Sequence, residues 1–163
     1  MKTKYSQSYK LTKKHGTSYF IATLLMNKES RKDVYALYSL CRYADDIVDV
    51  KEVNDKEKAR ELLSDFKSDV IKTIESGSSE SDLLAAISQT WNKLELDREY
   101  LDRFFNSMEM DLSISKYETF DDLMDYMDGS AAVIGEMLLP VLIDDIDERE
   151  NLRPYAKSLG IAF

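Results

Sequence analysis

The sequence predicts an all-α protein, and three observations support this prediction. Only two prolines and five glycines occur in 163 residues, although strand-rich proteins need such residues at their many turns. Apolar residues recur every three or four positions, as on one face of a helix, and strand-like alternation is not found. With 44% hydrophobic residues the chain can build a core, so we expect one all-α domain over residues 1–163.

Eight segments are predicted to be helices, the first of them short and polar and the others with the apolar spacing of a helix. In chain order they are residues 5–14, 19–26, 34–49, 54–74, 82–93, 98–110, 120–139 and 152–163. Ser30 is expected to cap the third segment, and Thr17 or Ser18 the second. Gly16 followed by two hydroxyl residues also fits a phosphate cradle at a helix N-terminus, so both interpretations stay open.

The segment 120–139 is interpreted as one long helix that Gly129 and Gly135 loosen. Because glycine lowers helix stability, these two residues mark either close-packing points or positions where a pocket needs room. Pro140 is expected to bend or end this helix.

The end of the sequence combines a charged stretch with an apolar one. Residues 144–149 are expected to form a charged loop, and 152–163 one more helix. The apolar pattern of that helix continues to Phe163 without a glycine cap, basic last turn or polar tail. We therefore expect a chain that is truncated within a helix.

Composition and charge narrow the classes of function. A net charge of −9 without a basic face argues against a nucleic-acid partner. The single cysteine, Cys41, cannot form an internal disulfide and is expected to be a small buried residue. The N-terminus lacks the apolar run of a signal peptide, and the longest apolar run, 137–143, is too short to span a bilayer. A cytoplasmic protein is expected, with peripheral contact at a membrane left open.

The segment 34–49 places polar side chains on a helix that is apolar almost all round. Tyr38, Arg42, Asp45 and Asp49 fall within an arc of roughly 60° on a helical projection. Two carboxylates one turn apart on a buried helix would repel each other unless a cation or a water-filled cavity compensates, and such a conflict often marks a site. The pair suits Mg²⁺, and Arg42 could bind a phosphate oxygen. An ion pair between Arg42 and either aspartate is the structural alternative.

The Asp-Asp-x-x-Asp pattern occurs a second time at Asp121, Asp122 and Asp125. That copy lies in the first helical turn, where carboxylates favour the helix dipole, so a structural role is expected. The aspartates within 144–147 are expected to be a solvated surface cluster.

Several motifs in chain order resemble the squalene/phytoene synthase family. They are residues 35–49, similar to the first aspartate-rich helix of the family, residues 15–20, similar to its serine-containing phosphate motif, and residues 108–112, 117–123 and 126–140. Gly16 stands where the family commonly has serine. The variant over 129–136 resembles prokaryotic phytoene synthases, archaeal ones among them, and the resemblance covers nearly the whole chain.

The resemblance implies an isoprenoid-synthase-type helical fold and a magnesium-dependent prenyltransferase, with Mn²⁺ as an alternative ion. Asp45 and Asp49 would bind the metal, with Asp46 a weaker candidate. The diphosphate group would contact Arg42 and Ser18, with His15 and Thr17 as further candidates. Catalysis would involve the two aspartates together with two tyrosines that line the cavity, Tyr38 and Tyr126. Room for the prenyl tail would come from Ser130, Ala131, Ile134 and Gly135.

The implied reaction is head-to-head condensation of two prenyl diphosphates, geranylgeranyl or farnesyl, through a cyclopropyl intermediate. In the family the last helix continues into a second aspartate-rich motif, which this sequence does not contain. We therefore expect little activity from the chain alone and either self-association or a complementing C-terminal chain. A non-catalytic relative that binds prenyl diphosphate or serves assembly is the alternative function.

Overall fold

The computed structural model describes residues 4–49 and 55–162, and within these ranges every regular element is a helix. The α-helices are α1 (Ser6–His15), α2 (Thr17–Thr23), α3 (Lys28–Val48), α4 (Lys56–Ser76), α5 (Asp82–Lys93), α6 (Arg98–Ser113), α7 (Phe120–Met127), α8 (Val133–Leu142) and α9 (Ile146–Ala162). A π-helical turn, Asp128–Ala132, joins α7 to α8. The all-α prediction is confirmed, while Asn54 and Phe163, at the ends of two predicted helices, lie outside the described residues.

The chain divides into two compact units. The first comprises Met1–Tyr43 and Phe66–Glu95, and the second comprises Ala44–Asp65 and Leu96–Phe163. Among the described residues, no helix combines the length and apolar character needed to cross a membrane. A single domain over the whole chain stays a prediction.

In the first unit, α3 and α5 supply most of the core. The fully buried side chains include Leu40 on α3 and Ile87 on α5. The buried carboxylate of Asp33 joins the two helices, because it accepts a 3.2 Å hydrogen bond from the Thr90 hydroxyl and pairs with Lys93 at 2.6 Å. A buried charge requires such partners, and here they set the position of α3 against α5.

In the second unit, α6, α8, α9 and the π turn pack against one another. Phe104 on α6 and Met137 on α8 are almost fully buried. Gly129 and Gly135 are packing points. A Cβ added to Gly129 would lie 2.2 Å from the backbone oxygen of Arg103, and one added to Gly135 would lie 2.2 Å from that of Ala156. Close backbone packing, the first of the two alternatives for these glycines, is therefore what the structure shows.

The helix starts differ from two predictions. Gly16 is the residue before α2, and no side chain caps this helix. Thr17 is already the first helical residue, so the prediction that Thr17 or Ser18 caps the helix is wrong. Asn27 caps α3 in place of Ser30, because its side-chain oxygen accepts hydrogen bonds from the backbone N–H groups of Glu29 and Ser30. Asparagine is as good an N-cap as serine, and Asn27 lies directly before the helix.

The predicted long helix over 120–139 is interrupted by the π turn and extends further than expected. Pro140 lies inside α8, which ends at Leu142, so of the two predicted effects of this proline the ending of the helix is wrong, and a bend stays a prediction. The charged stretch 144–149 is also mostly helical, because α9 begins at Ile146. The Asp145 side chain accepts a hydrogen bond from the backbone N–H of Glu148 and so caps the start of the helix. No apolar periodicity in the sequence indicates that start.

Candidate functional site

Helix α3 carries the predicted metal and phosphate residues at one-turn spacing. The Asp49 N–H donates to the Asp45 carbonyl at 2.9 Å, so helical hydrogen bonding continues to Asp49, just beyond Val48. Asp45 and Asp49 are therefore neighbours on the helix surface. Arg42 and Tyr38 occupy the preceding turns and are half-buried.

The aspartates of α3 are exposed to solvent. The helix is buried at Ala36 and Leu40, but Asp45, Asp46 and Asp49 are all exposed. The expectation that these carboxylates lie on a buried surface is wrong, because the apolar residues around them do not enclose them. Exposure suits a magnesium ion, which keeps several of its waters and commonly uses only one or two protein carboxylates.

The donor set on α3 therefore fits a weakly held magnesium ion rather than an all-protein metal cage. Across residues 4–49 and 55–162, no group of three or more histidine, cysteine, aspartate or glutamate side chains is arranged to hold a metal. Two carboxylates at i and i+4 would need water and phosphate oxygens to complete the octahedral coordination that magnesium requires.

The start of α2 lies against Tyr38. A Cβ added to the buried Gly16 would lie 2.8 Å from the Tyr38 ring, and the Tyr19 ring centroid is 6.3 Å from that of Tyr38. A serine at position 16 would therefore require the Tyr38 ring to move. Thr17 and Ser18, the two predicted phosphate-binding residues between Gly16 and Tyr19, are exposed.

A buried contact that sequence reasoning missed holds α2 on α3. The Thr23 and Tyr35 hydroxyls are hydrogen-bonded at 3.0 Å, and the rings of Phe20 and Tyr35 stack with centroids 6.0 Å apart. Tyr9 on α1 packs edge-on against both rings. The presence of Tyr9 on α1 and of Tyr19 and Phe20 on α2 was a usable signal, although it did not identify the partners. His15, the last residue of α1, is exposed.

A second group of predicted residues surrounds the π turn in the other unit. The Tyr126 hydroxyl donates a 3.2 Å hydrogen bond to the Asp111 carboxylate, and Ser107 Oγ donates to the Tyr126 carbonyl at 3.0 Å. Burial, together with the nearby Asp111 carboxylate, raises the pKa of Tyr126 to about 12. The hydroxyl is consequently protonated at neutral pH, and Tyr126 offers an aromatic ring rather than a base.

The predicted prenyl-tail residues lie on the π turn and on α8. Ser130, Ala131, Ile134 and Gly135 are all half-buried. The Ala131 carbonyl lies 2.4 Å from where a Cβ of Gly160 would be, just as Gly135 abuts the Ala156 carbonyl. Contact with α9 thus accounts for the glycines at positions 135 and 160 without a ligand.

A charged cluster in the second unit escaped the sequence analysis. Arg103 pairs with Glu136 and with Asp128, each at 2.7 Å, and Lys157 pairs with Asp128 at 3.0 Å. These side chains, with Arg153 and three others, line a cavity of about 360 Å³. Burial tends to raise the pKa of Asp128, but the hydrogen bonds from Arg103 and Lys157 outweigh it and lower that pKa. One feature of the sequence indicates this cluster, which is the charged residue Glu136 within the otherwise apolar sequence of α8.

The second aspartate-rich copy has the structural role that was predicted. Asp122 and Thr119 form a reciprocal capping box at the start of α7, and Asp121 and Asp125 are exposed. The surface cluster over 144–147 is likewise exposed, with Asp145 capping α9.

Comparison with known proteins agrees with the fold and the motifs. The sequence model of the squalene/phytoene synthase family matches residues 12–163. A 4,4'-diapophytoene synthase from Staphylococcus haemolyticus (strain JCSC1435) is 25% identical over 158 residues, covering 97% of this chain and 54% of that protein. A 15-cis-phytoene synthase from Synechococcus elongatus is 27% identical over 167 residues, covering 97% of this chain and 53% of that protein. The chain thus spans about half the length of these relatives.

Solved structures show the same helical fold. The crystal structure of a dehydrosqualene synthase in complex with ligand superposes with a TM-score of 0.84 at 23% identity, covering 98% of this chain and 53% of that one. A squalene synthase from Alicyclobacillus acidocaldarius superposes with a TM-score of 0.81 at 21% identity, with coverages of 98% and 57%. The fold is therefore of the isoprenoid-synthase type, and with the match over residues 12–163 the chain belongs to the squalene/phytoene synthase family.

Proposed function

We propose that this chain binds the diphosphate group of a prenyl diphosphate through magnesium held on α3. The observation that carries this proposal is the exposed Asp45–Asp49 pair at one-turn spacing, on a chain that belongs to the squalene/phytoene synthase family. Two carboxylates and several waters match the way magnesium bridges a protein to phosphate oxygens.

The residues beside the aspartates are proposed to contact the diphosphate directly. Arg42 lies on the adjacent turn of α3, and its guanidinium can bind two phosphate oxygens at once. Ser18 and Thr17, exposed at the start of α2, can donate from their hydroxyls, and His15 is a further candidate at the end of α1. The guanidinium of Arg42 and the hydroxyls of Ser18 and Thr17 would stabilise the negative charge that develops on the diphosphate as it leaves.

We further propose that the chain takes part in joining two prenyl diphosphates head to head. Loss of diphosphate from one substrate leaves an allylic cation, which the double bond of the second substrate attacks to give a new carbocation. Loss of a proton then closes the cyclopropane ring of an intermediate that still carries the second diphosphate. Tyr38 and Tyr126 would each present an aromatic ring to positive charge. The prenyl tail would lie along the half-buried residues Ser130, Ala131 and Ile134.

The substrates and partners of the whole protein are part of the same proposal. Geranylgeranyl and farnesyl diphosphate are the candidate substrates, with phytoene or a squalene-like compound as product. Self-association, a complementing chain and contact with a membrane surface stay predictions. The chain spans only about half of the relatives named above, so binding is a more direct test than turnover.

The test compares the two aspartate-rich copies in one binding assay. Binding of a non-hydrolysable farnesyl thiodiphosphate is measured by calorimetry with magnesium for wild type, Asp45→Asn and Asp121→Asn. Asp121 occupies the same motif position as Asp45 and is also exposed, so it is a matched control. We expect Asp45→Asn to weaken binding at least tenfold, about 1.4 kcal/mol, and Asp121→Asn to leave it unchanged.

Equal affinities for all three proteins would refute the metal assignment on α3. Magnesium-dependent binding of the thiodiphosphate, together with no product from geranylgeranyl or farnesyl diphosphate, would instead support the alternative of a non-catalytic binding module.

A further inference from the structure

A carboxylate that the proposed function does not use lies next to Tyr126. Asp111, near the end of α6, is half-buried and accepts the hydrogen bond from the Tyr126 hydroxyl at 3.2 Å. The two residues belong to consecutive helices of the same unit, separated by the connection between α6 and α7. Removing a carboxylate partly from water is unfavourable, so the position of Asp111 beside the Tyr126 hydroxyl requires an explanation.

Three contacts hold Tyr126 in one position. Its hydroxyl donates to Asp111, its carbonyl accepts from Ser107 Oγ at 3.0 Å, and its ring lies 5.3 Å from that of Tyr117 at an interplanar angle of 36°. Ser130, the third residue of the π turn, also interacts with the hydroxyl. With the backbone already fixed by Ser107, the bond to Asp111 determines the direction of the hydroxyl.

The surroundings of the pair raise the pKa of both residues. Burial raises the pKa of Asp111, and the hydrogen bond from Tyr126 partly offsets this effect. Tyr117, the other titratable group beside the pair, also has a raised pKa, owing to burial and then to Asp111. Because the Tyr126 hydroxyl keeps its proton at neutral pH, it acts as a donor to the carboxylate. Donation to an anion places more electron density on the ring oxygen and on the ring itself.

We propose that Asp111 is a positioning residue that acts through Tyr126: it fixes the orientation of the ring and makes the ring more electron-rich, so that the ring attracts a cation more strongly. An aromatic ring binds a cation through the negative charge of its face, and additional electron density strengthens that attraction. The role of the cation rests on the proposed function, whereas the effect of Asp111 on Tyr126 does not.

A purely structural role for Asp111 would have different consequences. If the hydrogen bond only joined α6 to α7, an asparagine at position 111 would serve equally well, since its amide oxygen accepts from the same hydroxyl. If the negative charge matters, asparagine keeps the hydrogen bond but loses the effect on the ring. Asp111→Asn therefore separates charge from geometry.

The first measurement follows Tyr126 directly. Protein labelled with ¹³Cζ-tyrosine is titrated by NMR as wild type, Asp111→Asn and Glu109→Gln, and the Tyr126 signal is assigned with Tyr126→Phe. Glu109 lies on the same helix, is exposed and pairs with Arg60 at 3.7 Å, so its neutralisation is a matched control. We expect Asp111→Asn to raise the ionised-to-protonated ratio of Tyr126 about tenfold at a given alkaline pH, and Glu109→Gln to leave the ratio unchanged. An unchanged ratio in Asp111→Asn would overturn the proposal.

The second measurement connects the pair to cation binding. Affinity is determined for an aza analogue of a prenyl diphosphate, in which an ammonium nitrogen replaces the cationic carbon. Asp111→Asn should weaken binding about fivefold, and the same substitution in Tyr126→Phe should have no further effect, because the hydroxyl through which Asp111 acts is absent. Equal losses in both backgrounds, or none in either, would overturn the positioning role. If wild type does not bind the analogue, the proposed function fails, and the NMR titration alone decides the influence of Asp111 on Tyr126.

Discussion

Gly135 provides a direct test of the packing between α8 and α9. Its substitution by alanine places a methyl group 2.2 Å from the Ala156 oxygen and 2.8 Å from the carbonyl carbon. Ordinary contacts of a Cβ begin near 3.4 Å, and the contacting atoms belong to backbone, which cannot rotate away. The two helices must therefore separate by about 1 Å at this point, where the second unit is closely packed.

The expected cost is the balance of two opposing effects. Alanine is favoured over glycine inside a helix by about 1 kcal/mol. Overpacking of a core costs 1–3 kcal/mol in typical cases, and contact with a rigid backbone places this site at about 3 kcal/mol. We expect Gly135→Ala to lower the free energy of unfolding by about 2 kcal/mol, which is about 4–8 °C in melting temperature for a chain of this size.

Urea unfolding followed by circular dichroism measures this change. Gly16→Ala is the comparison, because its new methyl group would meet only the Tyr38 ring, the movable end of a side chain, at 2.8 Å. It should cost less than about 1 kcal/mol, since the ring can shift. A Gly135→Ala protein as stable as wild type would refute the close approach of α8 and α9.

Two further predictions concern the charged cluster of the second unit. Glu136→Gln should lower the free energy of unfolding by about 3 kcal/mol in urea titrations, because Glu136 and Arg103 are 3% and 18% exposed and Arg103 would lose its buried partner; no change would mean that the pair contributes nothing. For Asp128→Asn, thermal unfolding at a series of pH values is the measurement. Because the folded-state pKa of Asp128 is lowered, the stability it contributes is complete above about pH 4 and is lost as the pH falls through that lowered pKa. The two proteins should differ at pH 7 and converge in acid, and a constant difference would contradict the ion pairing.

The sequence predicts the bounds of a helix correctly where capping and charged residues stand at its two ends. The bounds of α5 match the prediction, because the Ser81 side chain caps it and Lys93 stands in its last turn. The start of α9 was missed, since its first turns are charged and the capping residue, Asp145, lies within what resembles a loop. Apolar periodicity identifies a helix only where the helix is buried on one side.

The long helix over 120–139 shows the limit of local reasoning. Its π turn depends on tertiary contact, since Gly129 approaches the Arg103 backbone from another helix. The sequence identified both glycines as special positions, but only the structure distinguishes packing from pocket. The interaction partners of Tyr126 and Glu136 are 15 and 33 residues away in the sequence, so no local pattern identifies them.

The candidate site was predicted in part. The one-turn spacing of Asp45 and Asp49 follows from the helical period alone and is present in the structure. Their exposure was not predicted, because apolar residues on the far side of α3 implied burial all round. The approach of Gly16 to the Tyr38 ring depends on how α2 packs against α3, which helical periodicity does not determine.

The most direct test of the account is whether the wild-type chain binds a prenyl diphosphate only when magnesium is present. Calorimetric titration with farnesyl thiodiphosphate in magnesium and again in excess chelator is the measurement. We expect one binding event in magnesium and at least tenfold weaker binding in chelator, since the carboxylates of Asp45 and Asp49 would then repel the diphosphate. Equal affinity in both buffers would contradict the assignment of α3 as the metal and diphosphate site.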